Sequence, residues 1–106
     1  MLKKGDRLAS GEIECLAQGK SVFGTLVSLR YIPAKRLKFA VSASKKVFKT
    51  AVERNRARRR VYGVLDMERL RSAEPAFVMF MPKKEALTAP AERLSAEVHS
   101  LLSRVL

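Results

Sequence analysis

The sequence predicts an α+β fold with the element order α-β-β-β-α-β-α, in which helices pack on a four-stranded sheet. Three observations lead to this prediction. The chain has 106 residues, the size of one domain, so residues 1–106 are expected to form a single unit. Its middle part alternates apolar and polar side chains with the period of a strand. Its C-terminal part spaces apolar residues as an amphipathic helix does.

The N-terminal part is expected to contain a short helix followed by strands. Residues 10–18 form the helix in this prediction, because Ser10 can cap its start and Gly19 can end it. Residues 21–32 follow as strand, and Gly24 is expected to divide that run into two strands. The second strand alternates two sets of side chains, which are Val27, Leu29 and Tyr31 on one face and Ser28, Arg30 and Ile32 on the other.

A turn at 33–36 and a third strand at 37–44 lead to a basic loop and a long helix, predicted over 51–71. The strand places Phe39 in the core. At 100° per residue, the helix carries one apolar stripe that must face the core, and Asn55 and Arg59 lie opposite to it. The stripe consists of Ala57, Val61, Val64 and Leu65.

The last two elements have the clearest patterns. The continuous apolar run 76–81, closed by Pro82, predicts a strand that is covered on both faces or lies at an edge under a helix. Pro90 suits the first turn of the final helix. The apolar residues of that helix recur at helical spacing and are Leu94, Val98, Leu101, Leu102 and Val105.

Charge is distributed unevenly along the chain. The formal net charge is +12, and residues 41–71 contribute +7 of it, whereas residues 72–106 are neutral. Between residues 45 and 60, eight basic side chains stand against Glu53 alone. A solvated helix face normally mixes both signs. This excess therefore predicts a polyanionic partner, because so much positive potential repels itself unless an anion offsets it.

Several other classes of protein are not expected. No apolar run approaches the ~20 residues of a membrane helix, and residues 1–7 do not resemble a signal peptide. Cys15 is the single cysteine, so no internal disulfide can form and a reducing, cytoplasmic compartment is predicted. Cys15 and the single His99 cannot supply the four ligands of a structural zinc site. Both are expected to be structural, and no catalytic residue is predicted in the protein.

Binding to nucleic acid is better supported by the residue types present. Five arginines occur within residues 54–60, and a guanidinium group binds phosphate in a bidentate manner and stacks on bases. A second surface is predicted on the sheet, where small polar side chains and aromatic rings could hold a single strand. Its residues are Ser28, Arg30, Ser42, Ser44, Phe23 and Tyr31, and core packing is an equal alternative for the two aromatic residues.

The segment SKKVFKTAVERNRARRR at 44–60 resembles the signature of the bacterial ribonuclease P protein component. That family has a strand ending in Ser/Ala-Lys-Lys, a short loop, and a helix that opens with Arg-Asn-Arg. The resemblance extends in outline over nearly the whole chain, from the basic start at 2–8 through Gly19-Lys20-Ser21 to the strand at 76–82. It implies a left-handed crossover through the arginine-rich helix, which general rules of topology disfavour.

The resemblance also implies a function. The protein would be the small subunit of an RNA-based endonuclease, in which the RNA hydrolyses the 5′ leader from precursor tRNA with Mg²⁺ held mainly by that RNA. The helix would face the catalytic RNA and the sheet would hold the leader; no protein partner and no membrane are implied. The residues implied in catalytic-RNA binding are Lys45, Lys46, Arg54, Asn55, Arg56, Arg59 and Arg60, and Lys49 and Arg58 of the same basic stretch are expected to join them.

Two other functions remain open at this point. The chain could be another small basic RNA- or DNA-binding protein, such as a ribosomal protein, although no turn and second short helix precede the arginine helix as in a helix-turn-helix reader. It could also be a nuclease that acts without RNA. Association with ribosomes would favour the first of these alternatives, and metal-dependent cleavage by the protein alone would favour the second.

Overall fold

The structure, a computed structural model, describes residues 7, 8, 11, 13, 16–65 and 75–105. Four strands form one sheet in the order β1-β2-β4-β3. Neighbouring strands are antiparallel except β3 and β4, which are parallel. The chain between β3 and β4 therefore has to cross from one end of the sheet to the other, as the resemblance implies. The strands are β1 (Lys20–Phe23), β2 (Val27–Pro33), β3 (Lys38–Val41) and β4 (Ala76–Pro82).

The predicted break at Gly24 is confirmed, and its cause is steric. A Cβ atom at this position would lie 2.6 Å from the carbonyl oxygen of Val27 and 3.1 Å from the side chain of Glu97. Only glycine therefore fits the tight connection between β1 and β2. The strand predicted at 76–81 is also confirmed; it includes Pro82 and lies between β2 and β3 rather than at an edge.

Strand β3 is shorter than the predicted 37–44. The amide of Ser42 still donates to the Phe80 carbonyl, but the chain then leaves the sheet. The carbonyl of Ser44 accepts from the amides of Val47 and Phe48 at 3.2 and 2.8 Å, which closes a turn. Ser42 and Ser44 consequently belong to the basic loop rather than to the strand.

Among the described residues that follow β3, the chain forms the α-helices α1 (Ala51–Val64) and α2 (Ala91–Val105). Thr50 caps α1, since its hydroxyl oxygen accepts from the Glu53 amide at 3.1 Å. The predicted extension of this helix to residue 71 is wrong: Leu65 has an extended backbone with ψ of 122°, which ends the helix at Val64. Residues 66–74 lie outside the described part of the chain. A 3₁₀ turn at Lys84–Leu87, which the sequence did not predict, precedes α2.

The helices cover one face of the sheet and form the main core with it. Phe39 and Phe80 stack there with ring centroids 6.1 Å apart, as the predicted core position of Phe39 requires. Both helices contribute buried residues, among them Val61 and Leu94. The apolar patterns of the two helices are thus confirmed, and α2 buries Leu94, Val98, Leu101 and Leu102.

The N-terminal region is described in part. Gly11 and Ile13 have a helical backbone, and Leu16–Gln18 form a 3₁₀ turn that ends at Gly19, where the sequence predicts the stop. Leu16 is only 1% exposed, and its turn packs against β2 and β4 outside the main core. This turn therefore lies on the sheet face opposite to the helices. The predicted cap Ser10 lies outside the described residues. No helix among the described residues is long and apolar enough to cross a bilayer.

Gly63 gives a first prediction about stability. It is exposed in the last turn of α1, its φ is not positive, and no atom lies within 4 Å of an added Cβ. Gly63→Ala is expected to raise the free energy of unfolding by about 0.5–1 kcal/mol, because alanine loses less backbone entropy in a helix. Urea denaturation measures this change. Gly24→Ala is the comparison variant and is expected to lower the free energy of unfolding, because a Cβ atom at that position is crowded. A loss of stability in Gly63→Ala would contradict this account of the helix end.

Candidate nucleic-acid interface

The basic loop is fixed to the domain by a second, small core. Phe48 is fully buried there with Ala57 of α1 and Leu87 of the 3₁₀ turn, and Val47 packs against them. The loop also closes on itself, since the Ser44 hydroxyl accepts from the Lys46 amide at 3.1 Å. The buried Phe48 ring thus anchors the basic loop, and the lysines of this loop are all exposed, namely Lys45, Lys46 and Lys49.

The outer face of α1 consists of Asn55, Arg56, Arg58 and Arg59. Asn55, Arg56 and Arg59 are exposed, and Arg58 is half-buried. The Arg58 Nη1 donates to the Asn55 Oδ1 at 2.8 Å, which fixes both side chains relative to each other. Asn55 lies on the helix side opposite to Ala57 and Val61, as the sequence periodicity predicts, and Arg58 lies on the flank beside it. The outer face thus presents pre-positioned donors to solvent.

Arg54 and Arg60 have partners within the protein itself. The Arg54 Nη1 donates to the Phe48 carbonyl at 2.9 Å, which links the helix to the basic loop. The Arg60 Nη1 donates to the Ala86 carbonyl at 2.5 Å, and its Nη2 donates to the Ala89 carbonyl. Arg60 therefore ties α1 to the segment before α2. Both side chains are half-buried and have a structural role besides any contact with RNA.

The basic side chains of the loop and of α1 have no ion-pair partner among the described residues. The one acidic residue of the stretch, Glu53, is used at the helix start, where its carboxylate lies 3.4 Å from the Thr50 hydroxyl. Loop and helix together therefore form a positive surface on one side of the domain, which suits a polyanion.

The role of Arg60 leads to a second prediction. Arg60→Ala is expected to lower the free energy of unfolding by about 2 kcal/mol, because two part-buried carbonyls lose charge-assisted donors. Arg59→Ala removes the same charge from an exposed position without such bonds and is expected to change stability by less than ~0.5 kcal/mol. Urea denaturation of the two variants measures the difference. Equal stabilities would contradict a structural role for Arg60.

The six residues predicted to line a second surface on the sheet are not brought together. Arg30 lies on the face opposite to the helices, where its Nε donates to the Ser21 hydroxyl at 3.3 Å. Tyr31 packs against the main core on the other face. Ser28 was expected to face solvent, but it is only 6% exposed, between Phe23 and Met81 in the strand register. Phe23 is 74% exposed at the end of β1, and Ser42 and Ser44 are exposed in the basic loop.

His99 and Cys15 are the two residues for which the sequence predicts a structural role. His99 is buried on α2 with its Nδ1 2.9 Å from the Ser95 carbonyl oxygen, in agreement with a packing role. Cys15 lies outside the described residues. Among the residues that are described, no group of three or more histidine, cysteine, aspartate or glutamate side chains could hold a metal ion.

Sequence reasoning missed one contact beside the outer face of α1. The Arg7 guanidinium lies 4.9 Å above the ring centroid of Tyr62 on α1. Arg7 reaches this position because its backbone pairs in parallel with Phe39 of β3. Periodicity could not reveal a contact between residues 55 positions apart in the chain. The only signal in the sequence was a basic residue near the start.

Comparison with known proteins identifies relatives of this fold. The model of the ribonuclease P family matches residues 3–106. The solved structure of the Staphylococcus aureus RNase P protein is similar with a TM-score of 0.75 at 17% identity, covering 95% of both chains. The RNase P protein from Thermotoga maritima is similar with a TM-score of 0.79 at 15% identity, covering 94% of this chain and 97% of the other. No curated protein sequence matches.

The two kinds of similarity have different weight. At 15–17% identity the solved structures establish the fold, including the element order β-β-β-α-β-α that follows the N-terminal region. The family model covers almost the entire sequence, including the basic loop and the Arg-Asn-Arg segment that opens the basic helix. This chain belongs to the ribonuclease P protein family.

Proposed function

We propose that this ribonuclease P subunit binds the catalytic RNA through the basic loop and the outer face of α1. The observation that carries the proposal is the positive surface whose charges have no carboxylate partner within the described chain. Arginine forks match phosphate oxygens in geometry, and lysines add point charges. The buried Phe48 and the cap at Thr50 hold this surface rigid before RNA arrives, which lowers the entropic cost of binding.

The chemistry is assigned to the RNA. In this proposal the RNA subunit hydrolyses the phosphodiester at the 5′ end of the mature tRNA sequence, with Mg²⁺ held mainly by the RNA. The protein supplies no catalytic residue; it neutralises phosphates and thereby stabilises the assembly of RNA and precursor tRNA. From these partners we infer that the protein acts in the cytoplasm.

A contact with the 5′ leader is proposed for the sheet face opposite to the helices. Arg30 is the best-placed candidate on that face, because a guanidinium group can hold a single strand. The exposed ring of Phe23 lies at the edge of the sheet, where it also lines a surface pocket with residues of α2, and can stack a base there. Ser42 and Ser44 lie in the basic loop after β3, at the sheet edge opposite to β1, and can contribute where the leader crosses the sheet. Tyr31 and Ser28, by contrast, are packed and are not included in the proposed leader contact.

Reconstitution tests the proposal. A bacterial ribonuclease P RNA and a precursor tRNA are mixed at low Mg²⁺ with and without the protein, and leader removal is timed. We expect faster cleavage with protein, because its positive charge replaces part of the screening by Mg²⁺. No acceleration together with no RNA binding would overturn the proposal. Cleavage by the protein alone would assign the chemistry to the protein instead.

The leader contact needs its own comparison. The affinity of the reconstituted complex is measured for precursor tRNA and for the same tRNA without a leader. Tighter binding of the precursor, reduced in an Arg30→Ala variant, is the expected result. Equal affinity for both RNAs would contradict a leader contact on the sheet and leave the binding of catalytic RNA to α1 unaffected.

A further inference from the structure

A surface pocket lies where the N-terminal segment meets α1. Its volume is about 390 Å³, and its lining consists of Arg7, Asn55, Arg58, Arg59 and Tyr62. Three of these five side chains are guanidinium groups, and no carboxylate among the described residues lines the pocket. Three like charges brought together repel each other, so this arrangement is stabilised when an anion occupies it.

Arg7 is held in this pocket by two independent contacts. Its backbone forms a parallel bridge with Phe39, and the next amide, that of Leu8, donates to the Phe39 carbonyl at 2.8 Å. Its guanidinium carbon lies over the Tyr62 ring, 4.9 Å from the ring centroid, in the range of a cation–π contact. A guanidinium group has five N–H donors, more than a single ring contact can occupy, so donors of Arg7 remain for a ligand.

The α1 side of the pocket is organised in a comparable way. Arg58 uses one Nη to bind the Asn55 Oδ1, which leaves its other donors and the Asn55 amide hydrogens available. Arg59 is exposed, and its side chain has no hydrogen-bond partner among the described residues. Donors from two separate segments of the chain therefore face one pocket.

We propose that this pocket binds a backbone phosphate of an RNA strand and that Arg7 is an RNA-binding residue. Tyr62 is a positioning residue that acts through Arg7. The inference rests on the proposed function and extends its surface beyond α1 to the N-terminal segment. Phosphate fits better than a base, because guanidinium forks match its oxygens and because Arg7 already covers a face of the Tyr62 ring.

Salt-dependent RNA binding tests the role of Arg7. The affinity of a bacterial ribonuclease P RNA is measured between 50 mM and 200 mM salt for wild type, Arg7→Ala and Arg93→Ala. Arg93 is exposed on α2, is not part of the pocket, and is therefore a charge-matched control. Arg7→Ala is expected to bind about 10-fold more weakly and to lower the salt slope by about 0.9, the value for one lost phosphate contact. Equal behaviour of the two variants would overturn the inference.

Variants of Tyr62 separate positioning from folding. Tyr62→Phe keeps the ring face and is expected to bind RNA like wild type, whereas Tyr62→Leu should approach the weakness of Arg7→Ala. Urea midpoints are recorded for both, because Tyr62 also packs against the main core. Weak binding by Tyr62→Phe, or wild-type binding by a folded Tyr62→Leu, would contradict the positioning role.

A second measurement identifies the bound group without catalytic RNA. The arginine Nε–Hε resonances are followed by NMR while inorganic phosphate replaces chloride at constant ionic strength. Shifts concentrated on Arg7, Arg58 and Arg59 are expected. Equal shifts of all arginines, or no shifts at all, would overturn the phosphate site. The site would also be overturned if an acidic peptide displaced the bound phosphate more strongly than an RNA oligonucleotide did. If wild-type protein bound no ribonuclease P RNA but still showed these shifts, the proposed function alone would fail.

Discussion

Replacing Glu97 by alanine is expected to lower the free energy of unfolding by about 3–5 kcal/mol, the largest effect of any polar substitution proposed for this chain. The Glu97 carboxylate on α2 accepts hydrogen bonds from the amides of Thr25, Leu26 and Val27 at 2.9, 2.6 and 2.8 Å. Leu26 and Val27 are buried, so after this substitution their amides would have no hydrogen-bond acceptor and little access to water. One side chain thus joins α2 to the start of β2.

The control for this substitution is on the same helix. Glu92 is exposed in the first turn of α2, and Glu92→Ala is expected to cost less than ~1 kcal/mol through the helix dipole. Glu97→Gln retains one acceptor oxygen and should be intermediate. Urea denaturation of the three variants gives the order. If Glu97→Ala and Glu92→Ala were equally stable, the hydrogen bonds to the β1–β2 connection would contribute nothing measurable.

The double variant Arg56→Ala/Arg59→Ala is expected to lose about 2–3 kcal/mol of binding free energy for ribonuclease P RNA. Both side chains are exposed on α1 and make no hydrogen bond within the described chain, so their loss should leave stability nearly unchanged. Removing two phosphate contacts should lower the slope of log K against log salt by about 1.8. Filter binding over a salt series, with urea denaturation in parallel, measures both quantities.

A matched control removes the same charge elsewhere. Arg93→Ala/Arg104→Ala takes two exposed arginines from α2 and is expected to reduce RNA affinity only slightly, through the general field. Similar losses in the two double variants would show that net charge, rather than the surface of α1, determines binding. That outcome would remove the specific role assigned to the outer face.

Those parts of the fold that depend on local patterns could be predicted. The break at Gly24, the strand that ends at Pro82 and the apolar spacing of α2 all follow from residues within one element. The end of α1 could not be predicted, because Leu65 is buried and so fits the core stripe whether or not the helix continues. The strand order β1-β2-β4-β3 depends on contacts between distant segments, for which periodicity carries no information.

In the candidate site, too, some features could be predicted from local patterns and others could not. Helical periodicity placed Asn55 and Arg59 outward, because that direction is fixed by the buried Ala57 and Val61. Periodicity could not show that Arg60 binds carbonyls 26 and 29 residues further along the chain. The placement of Tyr31 could have been predicted, since strand alternation puts it on the face of Leu29 and away from Arg30.

Directed cleavage of RNA tests most directly whether the outer face of α1 meets the catalytic RNA. In a Cys15→Ser background, an iron chelate is tethered to a cysteine at Asn55 or, as a control, at the exposed Ser103 of α2. Hydroxyl radicals are then generated in the reconstituted complex. The account predicts strong, localised cuts in the ribonuclease P RNA from position 55 and weak cuts from position 103. Stronger cutting from position 103, or none from position 55, would contradict it.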